Sequence, residues 1–202
     1  MAKTEHISTA IRQKQIIAAA KKLIIEGGTE EITMKNIAGE VGITDAGIYR
    51  HFKGKKAILS LLVDDIESNL LGDISKAVTN GKTPLETLDK ILRGHILAIE
   101  RRRGVTFRVI AEIVSIGDRD LNKKIYGTIG KYINRLQELL AEGIKSGEVR
   151  ADLDLEAAAT VLFGMIQGLM NIWVLSNYSF NPEKRYIPFW NIFRESVINR
   201  SA

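Results

Sequence analysis

The stretch ITMKNIAGEVGITDAGIYRHFKGKK, residues 32–56, decides the fold of this chain. Apolar residues repeat in it at helical spacing, and Thr33 and Thr44 stand where helix caps are expected. Gly42 lies between the two apolar segments, where the chain must reverse direction. The pattern therefore predicts two short helices, about residues 34–40 and 45–52, joined by a tight turn into a helix-turn-helix motif.

Each helix of this motif has one apolar face. Ile37, Ala38 and Val41 form the face of the first helix. Ile48 and Phe52, four residues apart, form the face of the second. Packing these two faces against each other turns the opposite side of the second helix towards solvent.

The side that faces solvent carries residues suited to binding duplex DNA. Ala46 and Gly47 are small enough to let the helix lie deep in a major groove, and Arg50 has the paired donors that a guanine edge accepts. Hydroxyl, imidazole and ammonium groups nearby suit phosphate oxygens. The candidate DNA-binding residues are Thr33, Lys35, Thr44, Ala46, Gly47, Tyr49, Arg50, His51, Lys53 and Lys55.

The basic residues are concentrated around this motif. Residues 1–60 contain ten Lys/Arg and six Asp/Glu, whereas the rest of the chain contains nineteen and eighteen. A polyanion is attracted to such an end, with an affinity that falls as salt rises.

Composition excludes several classes of protein. There is no cysteine, so disulfides and thiolate zinc sites are absent, and with three histidines no metal or cofactor is predicted. The first residues lack the apolar core of a signal peptide, and no uninterrupted apolar run approaches the roughly 20 residues of a membrane span. We expect a cytoplasmic protein that associates with the nucleoid through DNA and has no membrane partner.

Helical periodicity runs through nearly the whole chain, and no segment alternates as a strand does. Thr83-Pro84-Leu85-Glu86, Asp154 and Asn181-Pro182-Glu183 are helix-start signals, and Pro188 is expected to kink or split the last helix. The sequence predicts an all-α fold of about nine helices, with a DNA-binding domain at 1–54 and a larger helical domain at 55–202. The predicted helices are about 9–26, 34–40, 45–52, 55–78 (ending near Asn80-Gly81), 84–101, 106–115, 119–145, 155–176 and 182–200.

Residues 10–60 resemble, in order and spacing, the TetR family of bacterial and archaeal transcription regulators. The matching segments are IIAAAKKLI (16–24), IA (37–38), VGIT (41–44) and IYRHFKGKKAIL (48–59). The resemblance implies that the third helix enters the major groove and that the remainder binds a ligand and dimerises. It also implies DNA contacts, mostly to the backbone, at Thr33, Thr44, Ala46, Tyr49, His51 and Lys55. Two residues depart from the family pattern: Ile24 replaces an aromatic, and Asp45 turns an acid towards DNA.

A second copy of the chain is the expected partner of the last two helices. The eighth helix is apolar almost all round, and Gly164 and Gly168 make a flat stripe on it. In the TetR family these helices pair with their copies in a four-helix bundle, which implies a homodimer and a near-palindromic operator. The candidate interface residues are Val161, Gly164, Gln167, Gly168, Trp190, Phe193 and Val197.

A ligand pocket is expected among the fifth to eighth helices. Methionine and aromatic residues at helical spacing suit an adaptable apolar pocket, although such stripes are also typical of plain core. On this pattern, His95 is either a buried structural histidine or a contact to the ligand. The candidate ligand-binding residues are His95, Ile99, Phe107, Ile110, Tyr126, Ile129, Met165, Ile166, Leu169 and Trp173.

These residues and the resemblance predict a ligand-responsive DNA-binding transcription regulator. We expect a repressor that a small, mainly hydrophobic molecule releases from a palindromic operator. Its partners are then double-stranded operator DNA, a second copy of itself and that ligand. The sequence has no nucleophile–base pair, carboxylate cluster or phosphate loop, so no enzyme is predicted. An all-helical small-molecule-binding protein, or an enzyme that uses the bundle cavity, is the alternative.

Overall fold

A computed structural model describes residues 8–78 and 82–200 of the chain, and the predicted all-α fold is confirmed. The described residues form nine α-helices, a 3₁₀-helix at Thr29–Glu31 and no β-strand; one isolated bridge joins Val149 and Ile198. The α-helices are α1 (Thr9–Gly27), α2 (Met34–Val41), α3 (Asp45–Tyr49), α4 (Lys55–Val78), α5 (Pro84–Arg101), α6 (Val105–Ile116), α7 (Arg119–Lys145), α8 (Leu155–Leu175) and α9 (Pro182–Val197).

Helix starts follow from local side-chain caps. The Thr83 hydroxyl accepts from the Glu86 amide at the start of α5, with Pro84 at the first helical position. Asp154 caps α8 and Asn181 caps α9 in the same way, at 3.0 Å and 2.8 Å. Each cap satisfies an amide that the helix itself leaves unpaired, and such caps contribute about 0.5–2 kcal/mol each.

Two helices end earlier than the sequence predicts. α3 ends at Tyr49 instead of residue 52, because the chain passes into the turn that leads to Gly54, which has φ 130°. α9 ends at Val197 instead of residue 200, because the Arg150 amide donates to the Val197 carbonyl at 2.9 Å. This pairing holds the chain after Val197 in an extended conformation. The predicted end of α4 near Asn80-Gly81, and the first seven residues, lie outside the described part of the chain.

Pro188 does not split α9, which is continuous over Pro182–Val197. A proline inside a helix removes one amide donor and leaves the carbonyl four residues earlier without its partner. That carbonyl belongs to Lys184, and both Lys184 and Pro188 are exposed. The missing hydrogen bond therefore lies on the exposed side of the helix, which continues past Pro188.

The structure divides into two compact units. The first unit runs up to Ile66 and includes Val105–Ile125; the second comprises Glu67–Gly104 and the chain from Tyr126 onward. The helices α4 and α7 contribute residues to both. The predicted functional boundary between residues 54 and 55 stays a prediction.

The first unit has a core of aliphatic side chains from α1, α2, α3 and the start of α4. Ile16, Ile37, Ile48 and Leu59 are fully buried in it. Charged contacts surround this core: Lys124 pairs with Asp64 at 2.7 Å, and other ion pairs join Lys21 to Asp65 and Lys56 to Asp118. The helix-turn-helix segment is therefore part of a packed unit with a buried interior.

The second unit is built by α5, α8 and α9 with the later part of α7. Tyr186 on α9 is fully buried, and its hydroxyl donates to Asp89 on α5 at 2.8 Å. Arg93 donates to the same carboxylate, and its guanidinium lies 5.3 Å from the centre of the Tyr186 ring. Burial beside Asp89 raises the pKa of the Tyr186 hydroxyl, so it stays a donor at neutral pH. This polar cluster fixes α9 on α5.

Among the described residues, α8 is the one helix that is long and apolar enough to cross a membrane, judged by length and composition alone. Within the subunit, 39% of its apolar stretch is buried, which explains part of its apolar composition. Leu162, Ile166 and Met170 are fully buried on one side. Apolar residues on the opposite side of α8 are exposed.

Candidate functional site

The helix-turn-helix geometry is set by two threonine caps and one glycine. The Thr33 hydroxyl accepts from the Asn36 amide at the start of α2, and the Thr44 hydroxyl accepts from the Gly47 amide at the start of α3, both at 3.1 Å. Gly42 ends α2 with φ 73°, the left-handed conformation that glycine adopts without strain. The expected chain reversal at Gly42 is confirmed.

The apolar faces of α2 and α3 are buried as expected, except that Val41 at the end of α2 is half-buried. Ile37, Ala38 and Ile48 are fully buried, and Phe52 is nearly so. Tyr49, on the opposite side of α3, is 57% exposed, and Arg50 is exposed beside it. Because Ile48 and Phe52 face inward, α3 presents its small and polar residues to solvent.

The ten candidate DNA-binding residues all lie in the first unit, and none of them is buried. Gly47 and Lys55 are half-buried. The exposed members are Thr33, Lys35, Thr44, Ala46, Tyr49, Arg50, His51 and Lys53. Gly47 has a packing role that its sequence position does not reveal: a Cβ there would lie 3.2 Å from the Thr44 hydroxyl that caps α3.

Among the candidate DNA-binding residues, Lys55 has an ammonium with partners inside the first unit. It pairs with Glu112 on α6 at 2.7 Å and donates to the Thr29 carbonyl at 3.1 Å. The hydrogen bond from Lys55 holds the pKa of the Glu112 carboxyl below its usual range. Sequence reasoning missed Glu112, because no local signal links residues 57 positions apart.

A second link joins α6 to α1 in the same unit. The Arg108 guanidinium on α6 donates to the Ile24 carbonyl at 2.6 Å, near the end of α1. The same Ile24 carbonyl accepts from the Gly28 amide at 3.1 Å, and a cation at this end of α1 complements the helix dipole. The end of α1, the 3₁₀-helix and α6 are thereby connected through polar contacts.

The centre of the second unit contains a buried histidine–tyrosine pair. The ring nitrogen Nδ1 of His95 lies 3.0 Å from the Tyr132 hydroxyl, and Tyr132 meets Phe163 edge-on with ring centres 6.0 Å apart. Burial, together with the positive charge of Arg102, lowers the pKa of His95 to about 4. His95 is therefore neutral at physiological pH and lies in apolar, aromatic surroundings.

Tyr132 was missed by the sequence analysis, and Tyr126 was chosen instead. Tyr126 is 79% exposed. The signal was readable: Ile125, Tyr132, Leu136 and Leu139 form the buried stripe of α7 at helical spacing. A tyrosine one position after Ile125 falls outside that stripe.

The other candidate ligand-binding residues are distributed over both units. Phe107 and Ile110 are half-buried members of the first unit. In the second unit Ile129 and Met165 are half-buried. The buried candidates of the second unit are His95, Ile99, Ile166, Leu169 and Trp173.

The candidate interface residues separate into two groups. Val161 is 56% exposed, Gly164 and Gly168 are exposed, and Gln167 is half-buried. Trp190, Phe193 and Val197 are buried inside the subunit, contrary to the expectation that they face a partner. The physical reason is that α9 packs its large rings inward, with Tyr186, Trp190 and Phe193 stacked in series.

Exposed apolar residues that the sequence analysis did not select lie on the same two helices. Leu175 is 86% and Ile192 is 70% exposed. The set on α8 and α9 is Val161, Ile172, Leu175, Ile187, Phe189 and Ile192. We call this set the α8–α9 apolar surface.

Two family models match the chain in succession. Residues 16–62 match the model of bacterial regulatory proteins of the tetR family, and residues 64–192 match the model of the C-terminal region of YsiA-like protein. Together they span most of both units.

Curated relatives match over most of their length. The chain is 28% identical, over 83% of its length and 86% of the relative's, to the fatty acid metabolism regulator protein of Bacillus subtilis (strain 168). It is 24% identical, over 90% of its length and 92% of the relative's, to the nucleoid occlusion factor SlmA of Photobacterium profundum.

Solved structures show the same fold. The fatty acid degradation regulator FadR from Bacillus halodurans matches with a TM-score of 0.78 and 24% identity over 90% of this chain and 94% of that one. FadR from Bacillus subtilis, solved in complex with stearoyl-CoA, matches with a TM-score of 0.73 and 26% identity over 90% and 95%. The chain therefore belongs to the tetR family of bacterial regulatory proteins, which are DNA-binding regulators of transcription.

Proposed function

We propose that this regulator is a homodimeric repressor that binds a near-palindromic operator and leaves it when a fatty-acyl ligand binds the second unit. It acts on the chromosome, in the cytoplasm. The observation that carries the proposal is the orientation of α3, which buries Ile48 and exposes Tyr49 and Arg50. A helix held in this way has the geometry that major-groove recognition requires.

Two copies are needed to read a two-fold operator. Dimeric helix-turn-helix proteins hold their recognition helices about 34–36 Å apart, which matches successive major grooves. The α8–α9 apolar surface supports the dimer, because exposed apolar patches of this kind mark interaction sites. Gly164 and Gly168 are exposed on α8 and have no side chain to separate two copies of that helix.

The ligand is proposed to be a fatty acyl thioester. The FadR of Bacillus subtilis, a relative of this chain, has been solved with stearoyl-CoA. The interior of the second unit is apolar and aromatic, and His95 is neutral there, which suits an acyl chain better than an anion. We place the acyl chain among Ile99, Ile166 and Leu169.

Selection of duplex DNA followed by ligand release tests the proposal. Purified protein is mixed with genomic fragments at low salt, and the enriched sequence is measured by fluorescence anisotropy with and without stearoyl-CoA. We expect a two-fold symmetric site, an affinity that falls as salt rises, and a further loss of about 5–150-fold with stearoyl-CoA.

Three outcomes would contradict parts of this proposal. Failure to bind any duplex at low salt would exclude the regulator. Binding that stearoyl-CoA leaves unchanged would exclude the acyl ligand, with stearic acid and free coenzyme A as controls for its two halves. Hydrolysis of stearoyl-CoA in the same mixtures would favour the enzyme alternative.

Two substitutions separate base reading from phosphate binding. We expect Lys55→Ala to weaken binding to operator and random duplex alike, and Arg50→Ala to weaken operator binding more, by about 5–150-fold. Lys55→Ala also removes the ion pair with Glu112, so Glu112→Gln serves as the matched control. Anisotropy titrations on both duplexes give the measurement; equal losses on both for Arg50→Ala would refute base reading by Arg50.

Charging the α8–α9 apolar surface should break the dimer. A lysine at position 161 would be buried beside its symmetry copy, where an unpaired charge is costly. We expect Val161→Lys to raise the dimer dissociation constant at least tenfold. Light scattering after size-exclusion chromatography measures the mass. The control is Val114→Lys, on α6, where the valine is similarly exposed; a wild-type monomer, or a Val161→Lys dimer as stable as wild type, would contradict the prediction.

A further inference from the structure

Asp45 is an acidic residue on the exposed side of the recognition helix. It is the first residue of α3, and it lies four positions before Tyr49 on the same side of that helix. Its carboxylate makes no hydrogen bond or ion pair with any other residue in the described ranges. The next charged side chains along the chain are the cations Arg50, which caps the end of α3, and Lys53 after it, both exposed.

The helix does not need Asp45 as a cap. Thr44 already accepts the hydrogen bond from the Gly47 amide. What Asp45 contributes to α3 is a favourable charge near the positive end of a helix with only five residues. A carboxylate that faces the phosphates of DNA is repelled by them, so it lowers affinity unless a base edge compensates for it.

Most groups on the major-groove edges of the bases repel a carboxylate. Guanine presents two acceptors, N7 and O6, and thymine presents O4 and a methyl group. Adenine presents its amine beside the acceptor N7. Cytosine presents a donor amine, N4, without a neighbouring acceptor on its own edge. A group that only accepts hydrogen bonds therefore distinguishes cytosine from the other three bases.

We infer that Asp45 selects a cytosine at one position of each operator half-site and penalises the other bases there. The inference rests on the proposed function, because it requires α3 to lie in the major groove. Asp45 is then a specificity-determining residue that weakens binding to unrelated DNA. The base that Asp45 contacts lies against the first turn of α3.

Selection from a randomised half-site library, with wild type and two variants, tests the inference. We expect wild type to enrich cytosine at one position by about fivefold or more over each other base. Asp45→Ala should lose that preference and bind random duplex more tightly. Asp45→Asn should shift it to adenine, because an amide pairs with the N6 and N7 groups of adenine. Preferences at the other positions should stay the same.

Glu30→Gln is the control for net charge. Glu30 is an exposed acid of the same unit, on the 3₁₀-helix, so its removal changes the net charge equally. We expect Glu30→Gln to leave every base preference unchanged. Thermal unfolding of each variant shows whether α3 is intact, since a purely structural role of Asp45 would change stability and leave base preference as it is.

Removing the cytosine amine from DNA gives a second measurement. The selected cytosine is replaced by 2-pyrimidinone, which lacks the 4-amino group. We expect wild type to lose about fivefold or more in affinity and Asp45→Ala to lose clearly less, so that the two losses are not additive.

The outcomes distinguish this inference from the proposed function. If wild type selects an operator and Asp45→Asn and Asp45→Ala select the same bases at every position, Asp45 does not read a base and the inference alone is overturned. If wild type binds no duplex, both are overturned.

Discussion

Acidification should destabilise the second unit by as much as about 3 kcal/mol through His95 alone. The pKa of His95 lies at about 4 in the folded chain, below the ordinary value of 6.5. Between these values the unfolded chain binds a proton that the folded chain does not. The free energy of unfolding therefore falls as the pH falls from about 7 towards 4, and each pKa unit corresponds to about 1.4 kcal/mol.

Urea unfolding between pH 4 and pH 7 measures this dependence. We expect His95→Gln to have a smaller loss of stability over that range than wild type, because it lacks the titrating group. His51→Gln is the matched control, since His51 is exposed on the other unit. An NMR titration of the His95 ring in wild type gives the same information without a variant; a ring that is protonated at pH 6 would contradict the prediction.

Truncating the buried side chain of Ile48 should detach the recognition helix α3 from the core of the first unit and unfold it. Ile48→Ala creates a cavity where α3 packs on α2, and such substitutions cost about 2–5 kcal/mol. A helix of five residues has no stability of its own, so we expect operator binding to be lost together with its packing.

Ile11→Ala is the matched control for this loss. Ile11 lies on α1 of the same unit, and about half of its side-chain surface is exposed. Thermal unfolding and amide hydrogen exchange over α2 and α3 measure the effect, with operator affinity as the functional result. An Ile48→Ala variant as stable as Ile11→Ala would show that α3 is not held by Ile48.

Most helix boundaries were predictable because their causes are local. Thr33, Thr83 and Asn181 each accept an amide hydrogen bond from the residue three positions later, and that spacing is visible in the chain. The ends of α3 and α9 were less predictable. The end of α9 depends on a hydrogen bond to Arg150, a residue far away in sequence.

The exposed side of α3 was predictable for a similar reason. Two apolar residues four positions apart, Ile48 and Phe52, leave only one way to orient a short helix on its neighbour. The candidate residues of the second unit were less predictable. α8 is apolar almost all round, so periodicity does not say which of its residues line a pocket, whereas on α7 the stripe through Ile125 and Leu136 favours Tyr132 over Tyr126.

The sequence by itself determined the all-α fold, the helix-turn-helix, the family resemblance and the outward face of α3. Each of these depends on spacing within one or two helices, where backbone geometry converts sequence distance directly into position. Only the tertiary structure decided that Lys55 pairs with Glu112, that His95 lies beside Tyr132, and that Trp190 packs inward. Those contacts join residues from different helices, and the packing of whole side chains selects among many pairings that the pattern leaves equivalent.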